Sequence, residues 1–255
     1  MKLVVLGCGT STGVPRIGND WGECDPNEPK NRRSRVSILV ESDAGARILV
    51  DTSTDLRQQL LANDIDKVDA VFWTHDHADH CHGIDDLRPM RFSRNAPLPG
   101  FASAQTARSL RQRFSYVFSG RYGYPTIVHL ETLEQLKIHA GFAIGSVEMP
   151  HGPTSSTGFR FEADGKSIAY ATDFSEICEE MVALFRGVDI LVCDCLRREP
   201  HPTHASLATA LDLRTRCEAG LTVLTHLDKS MDYATLSAEL PPDVSVAFDG
   251  MELVA

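Results

Sequence analysis

The chain has 255 residues, 42% of them apolar, and a formal net charge of −10 at pH 7. That length supports one large hydrophobic core and is short for two, so a single domain over residues 1–255 is expected. The acidic balance argues against a general nucleic-acid binder, because a polyanion is repelled unless a local basic patch overrides the net field. No run approaches the roughly 20 consecutive apolar residues of a membrane span. The opening MKLVVLG carries no small-residue cleavage site, and the seven cysteines are odd in number and scattered without a CxxC pair. A reduced, cytoplasmic protein is expected.

In chain order, β-rich runs occur at Leu3–Leu6, Ser37–Val40, Ile48–Val50 and Ala70–Trp73, then at Ser146–Val147, Gly158–Phe161, Ile168–Ala171, Ile190–Val192, Leu221–Leu224 and Val244–Ala247. Helical runs alternate with them: Thr54–Ala62, Ala104–Arg113, Glu176–Phe185 ending at Gly187, and Leu207–Ala219 ending at Gly220, where glycine tolerates a left-handed cap. Leu207, Leu211 and Cys217 fall on roughly one face of the last helix. Short strands interleaved with covering helices predict an α/β fold of four layers, an αββα sandwich.

The segment from Arg91 to Pro125 breaks this rhythm with Pro97, Pro99, Gly100, Gly120 and Gly123. It holds Phe92, Phe101, Phe114, Tyr116, Phe118, Tyr122 and Tyr124, a series that suits a lid, a base-stacking surface or a homodimer interface, or simply core. Residues 87–130 contain no acid but arginines at 88, 91, 94, 108, 111, 113 and 121, so this stretch carries +7 and the remainder −17 (−10 minus +7). These arginines either pair with acids elsewhere in the fold or form an anion-binding wall.

The densest chemistry is FWTHDHADHCHG at 72–83. An apolar strand ends at Thr74, and His75, His77, Asp79 and His80 follow within six residues. Imidazole and carboxylate are the donors that zinc, manganese and iron accept, and a loop at a strand end can aim several at one point. His75 and His77 can share one ion while Asp79 and His80 turn toward a second. His201 and His204 lie in the loop before the Leu207 helix, where an N-terminus attracts phosphate and a histidine can donate a proton.

HDHADH resembles the HxHxDH signature of the metallo-β-lactamase superfamily, which implies three further ligands at strand ends. His151 in VEMPHGP, Asp173 in IAYATDF and His226 in TVLTHLD stand in that order. The resemblance implies two divalent ions, zinc or manganese: one held by His75, His77 and His151, the other by Asp79, His80 and His226, with Asp173 bridging. Asp51, ending ILVD, matches an acid that orients a ligand imidazole in many relatives, and it also suits the helix N-terminus that follows. His82, His129 and His139 read as ordinary surface or core residues.

Within the superfamily, LGCGTSTGVPRIG, His204 and the ending FDGMELVA resemble the phosphoribosyl 1,2-cyclic phosphate phosphodiesterase family of the carbon–phosphorus lyase pathway. The opening is shared with the transfer-RNA 3′-end endonuclease RNase Z. The resemblance implies hydrolysis of a small cyclic or nucleotide-like phosphodiester by water activated between two ions, with Asp79 and Asp173 in the catalytic centre and His204 as proton donor or charge stabiliser. It departs at the cysteine cluster that holds a structural zinc in that family. Only Cys24 remains here, and Lys229 replaces the histidine after the last ligand, so that zinc is expected to be absent. Asp20, Trp21, Asp25 and Pro26 would then fix the loop through turns and packing. The alternatives are a transfer-RNA processing endonuclease and a metal-containing nucleotide-binding module.

Overall fold

The computed structural model describes residues 1–121 and 123–255; Tyr122 of the aromatic series lies outside them. The strands are β1 (Lys2–Gly7), β2 (Ser37–Glu41), β3 (Arg47–Val50), β4 (Ala70–Phe72), β5 (Leu98–Ala102), β6 (Val128–Thr132), β7 (Ile138–His139), β8 (Phe142–His151), β9 (Thr154–Ala163), β10 (Lys166–Ala171), β11 (Ile190–Asp194), β12 (Leu221–Thr225), β13 (Val244–Val246) and β14 (Met251–Val254). The helices are α1 (Leu56–Ala62), α2 (Ala78–Cys81), α3 (Arg88–Arg94), α4 (Ala104–Arg113), α5 (Ser115–Ser119), α6 (Glu179–Phe185), α7 (Leu207–Cys217) and α8 (Tyr233–Glu239).

Two seven-stranded sheets form, in the orders β14-β1-β2-β3-β4-β5-β6 and β13-β12-β11-β10-β9-β8-β7. Ile38, Val40, Ile48, Val50 and Phe72 of the first sheet meet Phe159, Phe161, Ile168, Tyr170 and Val192 of the second in one buried cluster. The opposite face of the first sheet (Leu39, Leu49, Val71) is covered by Leu56 and Leu60 of α1 and Leu110 of α4. That of the second (Ala169, Leu191, Leu224) is covered by Met181 and Phe185 of α6, Leu213 of α7 and Leu236 of α8. The result is the α/β four-layer αββα sandwich. Strands such as SILV in β2 are continuously apolar because both faces are covered.

In each sheet four neighbouring strands run parallel, β3 to β6 and β10 to β13. Parallel neighbours require crossovers, which α1, α3 to α5 and α6 to α8 occupy. This arrangement gathers the carboxyl ends of the parallel strands along one crevice, where open α/β sheets bind ligands.

Several elements differ from expectation. Residues 98–102 form a paired interior strand despite Pro99. The Leu98 amide bonds the Ile127 carbonyl on the β6 side, so position 99 turns to the other side, where pairing with β4 begins only at Gly100. A missing N–H costs no ladder bond there. Ser146–Val147 is part of the ten-residue β8. The helix before Gly220 ends at Cys217, and Glu218 rather than the glycine takes the left-handed cap; its buried face is Ala210, Leu213 and Cys217, with Leu207 and Leu211 only partly covered. Among the aromatic residues, Phe101 is core, Phe114 and Phe118 pack at its margin, and Phe92, Tyr116 and Tyr124 are exposed.

No helix among the described residues is long and apolar enough to cross a membrane.

Candidate metal centre

Of the seven proposed ligands, His77 caps α2 and Asp79 and His80 lie within it, while the other four sit just past the carboxyl end of a strand or at its last residue: His75 beyond β4, His151 ending β8, Asp173 beyond β10 and His226 beyond β12. The backbone is strained there. Asp51, Asp173 and His226 adopt positive φ of 64°, 59° and 59°, a conformation costing a side-chain-bearing residue of order 1–3 kcal/mol and concentrated at functional sites. The glycine of the motif has a steric reason: a Cβ on Gly83 would lie 2.0 Å from the Ser53 carbonyl oxygen.

The donor atoms converge in two groups. His75 Nε2 lies 2.9 Å from His77 Nδ1, and His151 Nε2 lies 3.3 Å from the same atom. Asp173 Oδ2 is 3.7 Å from His75 Nε2 and 3.6 Å from His151 Nε2. Asp173 Oδ1 faces the other way, 3.3 Å from His80 Nε2 and 3.5 Å from His226 Nε2. Asp79 Oδ2 completes that group at 3.5 Å from His80 and 3.6 Å from His226. All seven predicted ligands therefore meet at one place, with the Asp173 carboxylate between two sets.

The surroundings hold three of the imidazoles with one nitrogen committed and the other directed inward. His80 Nδ1 pairs with Asp51 Oδ2 at 2.7 Å, His151 Nδ1 donates to the Thr203 carbonyl at 2.7 Å, and His75 Nδ1 is 3.0 Å from the Thr74 hydroxyl, which itself donates to Asp51. Such partners fix the tautomer and raise ligand basicity. Asp51 thus orients His80 directly and His75 through Thr74.

These residues fit a metal. The Nε2 atoms of His80 and His226 are buried without a hydrogen-bond partner, an arrangement that costs free energy unless a cation lies between the donors. Burial lowers the pKa of His75 and His151, favouring the neutral imidazole that binds metal. At His226 burial acts in the same direction, but Asp173, Asp79 and Asp194 outweigh it and lift the ring to about 9, so the acidic side of the centre attracts positive charge.

His204 stacks on His226 with ring centroids 4.6 Å apart, and its Nδ1 lies 3.1 Å from Asp194 Oδ2. One of its nitrogens also falls in a group with Asp173 and His226 whose donor atoms lie within 4.8 Å of one another. His201 is further out, 5.3 Å from His204 between centroids, and its Nδ1 accepts from the Thr203 amide. Asp194 was not singled out from the sequence. It is fully buried, accepts from His204 and the amides of Phe174 and Ala205, and turns Oδ1 toward His226 Nδ1 at 3.8 Å. Its signal was available: like Asp51 and Asp173, it is an acid closing an apolar strand.

Around Cys24, the buried Arg33 guanidinium bonds the Asp228 and Met231 carbonyls and the Asn31 side chain, and Lys229 pairs with Asp20. Trp21 stacks under Arg32, 5.0 Å away, and Asp25 makes a turn with Asn27. Of the remaining histidines, His82 meets Arg113, His129 lies beside Glu131, and His139 packs edge-on against Phe101.

The family model described as the β-lactamase superfamily domain matches residues 46–227. A crystal structure of a diphosphatase from the PhnP family superposes with a TM-score of 0.89 at 38% identity, covering 99% of this chain and 96% of that one. An octanoyltransferase from Porphyromonas gingivalis is 34% identical across 100% of this chain, but the chain spans only 51% of that protein's length. Ribonuclease Z of Mycobacterium bovis is 28% identical over 78% of this chain and 81% of its own. With its fold, its HDHADH loop and its downstream strand-end donors, the chain belongs to the metallo-β-lactamase superfamily and is similar to its PhnP-like members.

Proposed function

We propose that the protein is a dinuclear metal-dependent phosphodiesterase acting on small cyclic or nucleotide-like phosphodiesters. The observation that carries this reading is Asp173, whose two carboxylate oxygens each face a separate donor set, with the Asp194–His204 pair alongside. His75, His77 and His151 would hold one ion and Asp79, His80 and His226 the other. The chemistry such a pair of zinc or manganese ions supplies is activation of water near neutral pH and neutralisation of charge on phosphoryl oxygens.

The remaining roles belong to side chains. Asp173 and Asp79 set the charge of the centre and hold its geometry. His204, anchored at Nδ1 by Asp194, keeps Nε2 available to protonate the departing alcohol. Asp194 is a positioning residue, fixing the ring of His204. The seat of the reaction in a single chain of this acidic composition suits a substrate of few charges.

Hydrolysis of bis(p-nitrophenyl) phosphate, measured on metal-stripped protein and again after adding zinc or manganese, tests the reading. Metal-dependent turnover supports it. Metal binding with no turnover of this or any cyclic diester would leave the nucleotide-binding module instead. A second reading, cleavage of transfer-RNA precursors, has the ribonuclease Z similarity in its favour.

A further inference from the structure

Arg33 is among the largest fully buried side chains of the protein, 2% exposed, and its guanidinium lies among neutral acceptors. One terminal nitrogen bonds the Asp228 carbonyl at 3.3 Å and the Cys24 sulfur at 3.8 Å, and the other bonds the Met231 carbonyl at 2.6 Å and Asn31 Oδ1 at 3.3 Å. Burial holds the Cys24 thiol above its ordinary pKa, so it stays protonated beside the cation. Through Asn31 the network reaches a charge, because Asn31 Nδ2 donates to Asp232 Oδ2 at 2.7 Å. A fixed positive charge in such a place is costly unless its donors are met, so the guanidinium draws three chain segments around itself. It stands where the phosphodiesterase family holds a structural zinc, and the loop closes here on a side-chain cation.

The segments that it joins lead to the metal centre. The turn of residues 228–231, closed by the Met231 amide on the Asp228 carbonyl at 3.2 Å, begins two residues after His226. Between them, Leu227 donates its amide to the Cys8 carbonyl at 2.9 Å and accepts from the Thr10 amide at 3.2 Å. The main chain of Arg33 exchanges two hydrogen bonds with Val14, at 2.8 and 2.9 Å, and Gly9 donates to the Ser34 carbonyl at 2.7 Å. Arg33 thus holds the loop of residues 8–14 by its main chain and the 228–231 turn by its side chain, and Leu227 is fastened between the two. The adjoining His226 has a φ of 59°. A residue with a side chain keeps that left-handed conformation only where its surroundings over-determine it.

We propose that Arg33 is a positioning residue for the ligand His226. The guanidinium closes the 228–231 turn against the N-terminal loop, and that closure keeps His226 Nε2 aimed at the donor set of Asp79 and Asp173. The proposal rests on the assignment of His226 to the ion shared with Asp79 and His80, and it is independent of which ester is hydrolysed.

Zinc affinity, read by competition with a chromogenic chelator, tests it in two backgrounds. His151→Ala should leave the ion of Asp79, His80 and His226, and His226→Ala the ion of His75, His77 and His151. Arg33→Met keeps much of the volume and removes the charge. It should weaken the first ion by about tenfold or more, the usual loss when an outer partner of a metal site is removed, and leave the second unchanged. The sign is informative: through space, loss of a positive charge favours a nearby cation, so a weaker ion reports a misplaced ligand. Arg32→Met, one residue away and exposed, should weaken neither. Arg33→Lys keeps a cation in the cage but cannot reach both carbonyls with a planar fork. It should give a smaller loss at the same ion, and it serves where Arg33→Met does not fold. Equal weakening of both ions, or weakening of neither, would overturn the proposal.

Hydrogen exchange on the metal-free protein separates this failure from failure of the ligand assignment. In Arg33→Lys the amides of Leu227 and Asp228, bonded to the carbonyls of Cys8 and Leu196 at 2.9 and 3.0 Å, should lose protection. The Thr157 amide, bonded to the Thr74 carbonyl beside His75, should keep it. That selective loss upholds the positioning role even where neither background retains zinc. Loss at all three amides, or at none, overturns it.

Discussion

Arg113 of α4 reaches the Asp76 carboxylate at 3.2 Å, contacts the Asp76 carbonyl with the same nitrogen, and touches His82 with the other. Asp76 lies between His75 and His77, so a helix from the arginine-rich segment grips the loop that aims two ligands. Removing such an outer partner of a metal site commonly costs 10- to 100-fold in affinity. Arg113→Ala should weaken metal binding by about tenfold or more, read by competition with a chromogenic chelator. The partly exposed ion pair itself contributes only about 0–1 kcal/mol to stability, so unfolding of the metal-free protein should barely change. A large stability loss with unchanged affinity would show that the contact serves the fold instead.

Asp173 is expected to matter to both ions, because its two oxygens face different donor sets. Wild-type protein should hold two metals per chain by elemental analysis, and Asp173→Ala should reduce occupancy at both positions. Loss of a single ion would remove the bridging role. Three tightly held zincs in the wild type would contradict the reading of the Cys24 region, where Arg33 and the Lys229–Asp20 pair close the loop.

His204→Ala should lower phosphodiester turnover by about 100-fold or more while metal content stays intact. His201→Ala, further from the centre, should do much less. Because Asp194 anchors His204, Asp194→Asn should follow His204→Ala and shift the pH profile of turnover. The defect should shrink for p-nitrophenolate, which needs little protonation on leaving. Loss of a metal with His204 would reassign it as a ligand.

The metal site was legible because four ligands occupy one short loop, and the other three recur at strand ends in an order that the motif implies. The Asp194–His204 pair was only half legible. The two residues stand ten apart, and their contact exists because the chain turns back from the end of β11 before α7 begins. Among the elements, α4 was readable from residue 104 to 113, but β5 and β6 were not. Pro97, Pro99 and Gly100 signal a break locally, and only the sheet pairing shows that position 99 gives up no ladder bond. The arginine segment divided in a way that composition cannot express, since main-chain carbonyls claim Arg91 and Arg111.

Asp232 caps α8 through the Thr235 amide at 2.9 Å and also accepts from the Asn31 side chain and the Asp25 amide. Burial would raise its pKa, but these donated hydrogen bonds outweigh it and hold the carboxyl below its ordinary value. A depressed acid contributes stability above its unfolded pKa of about 3.9 and loses it as pH falls through the folded value. Asp232→Ala should therefore cost about 1–2 kcal/mol near pH 7, as loss of an N-cap does. The gap from wild type should narrow below about pH 4. Denaturant midpoints for the two proteins at neutral and acid pH check this, and a gap that widens on acidification would reverse the sign of the shift.

Substrate size separates the small-diester reading from the transfer-RNA reading. A polyanion engaging six or more phosphates would lose about 10³-fold in apparent affinity between roughly 50 and 200 mM salt, because each neutralised phosphate releases condensed counterions. A small diester meets one or two fixed cations, and its KM should drift only modestly over the same range. Five of the seven arginines in the basic stretch already bond within the fold, and the rest of the chain carries −17 by difference from the net −10 and the +7 of that stretch. Too little uncommitted positive surface remains to follow an extended backbone, so the shallow dependence is expected. A salt series with a cyclic diester and a transfer-RNA precursor, run on one metal-loaded preparation, makes the comparison. Efficient cleavage of the precursor at its 3′ trailer with a steep salt slope, alongside weak turnover of every small diester, would establish the endonuclease in place of the phosphodiesterase.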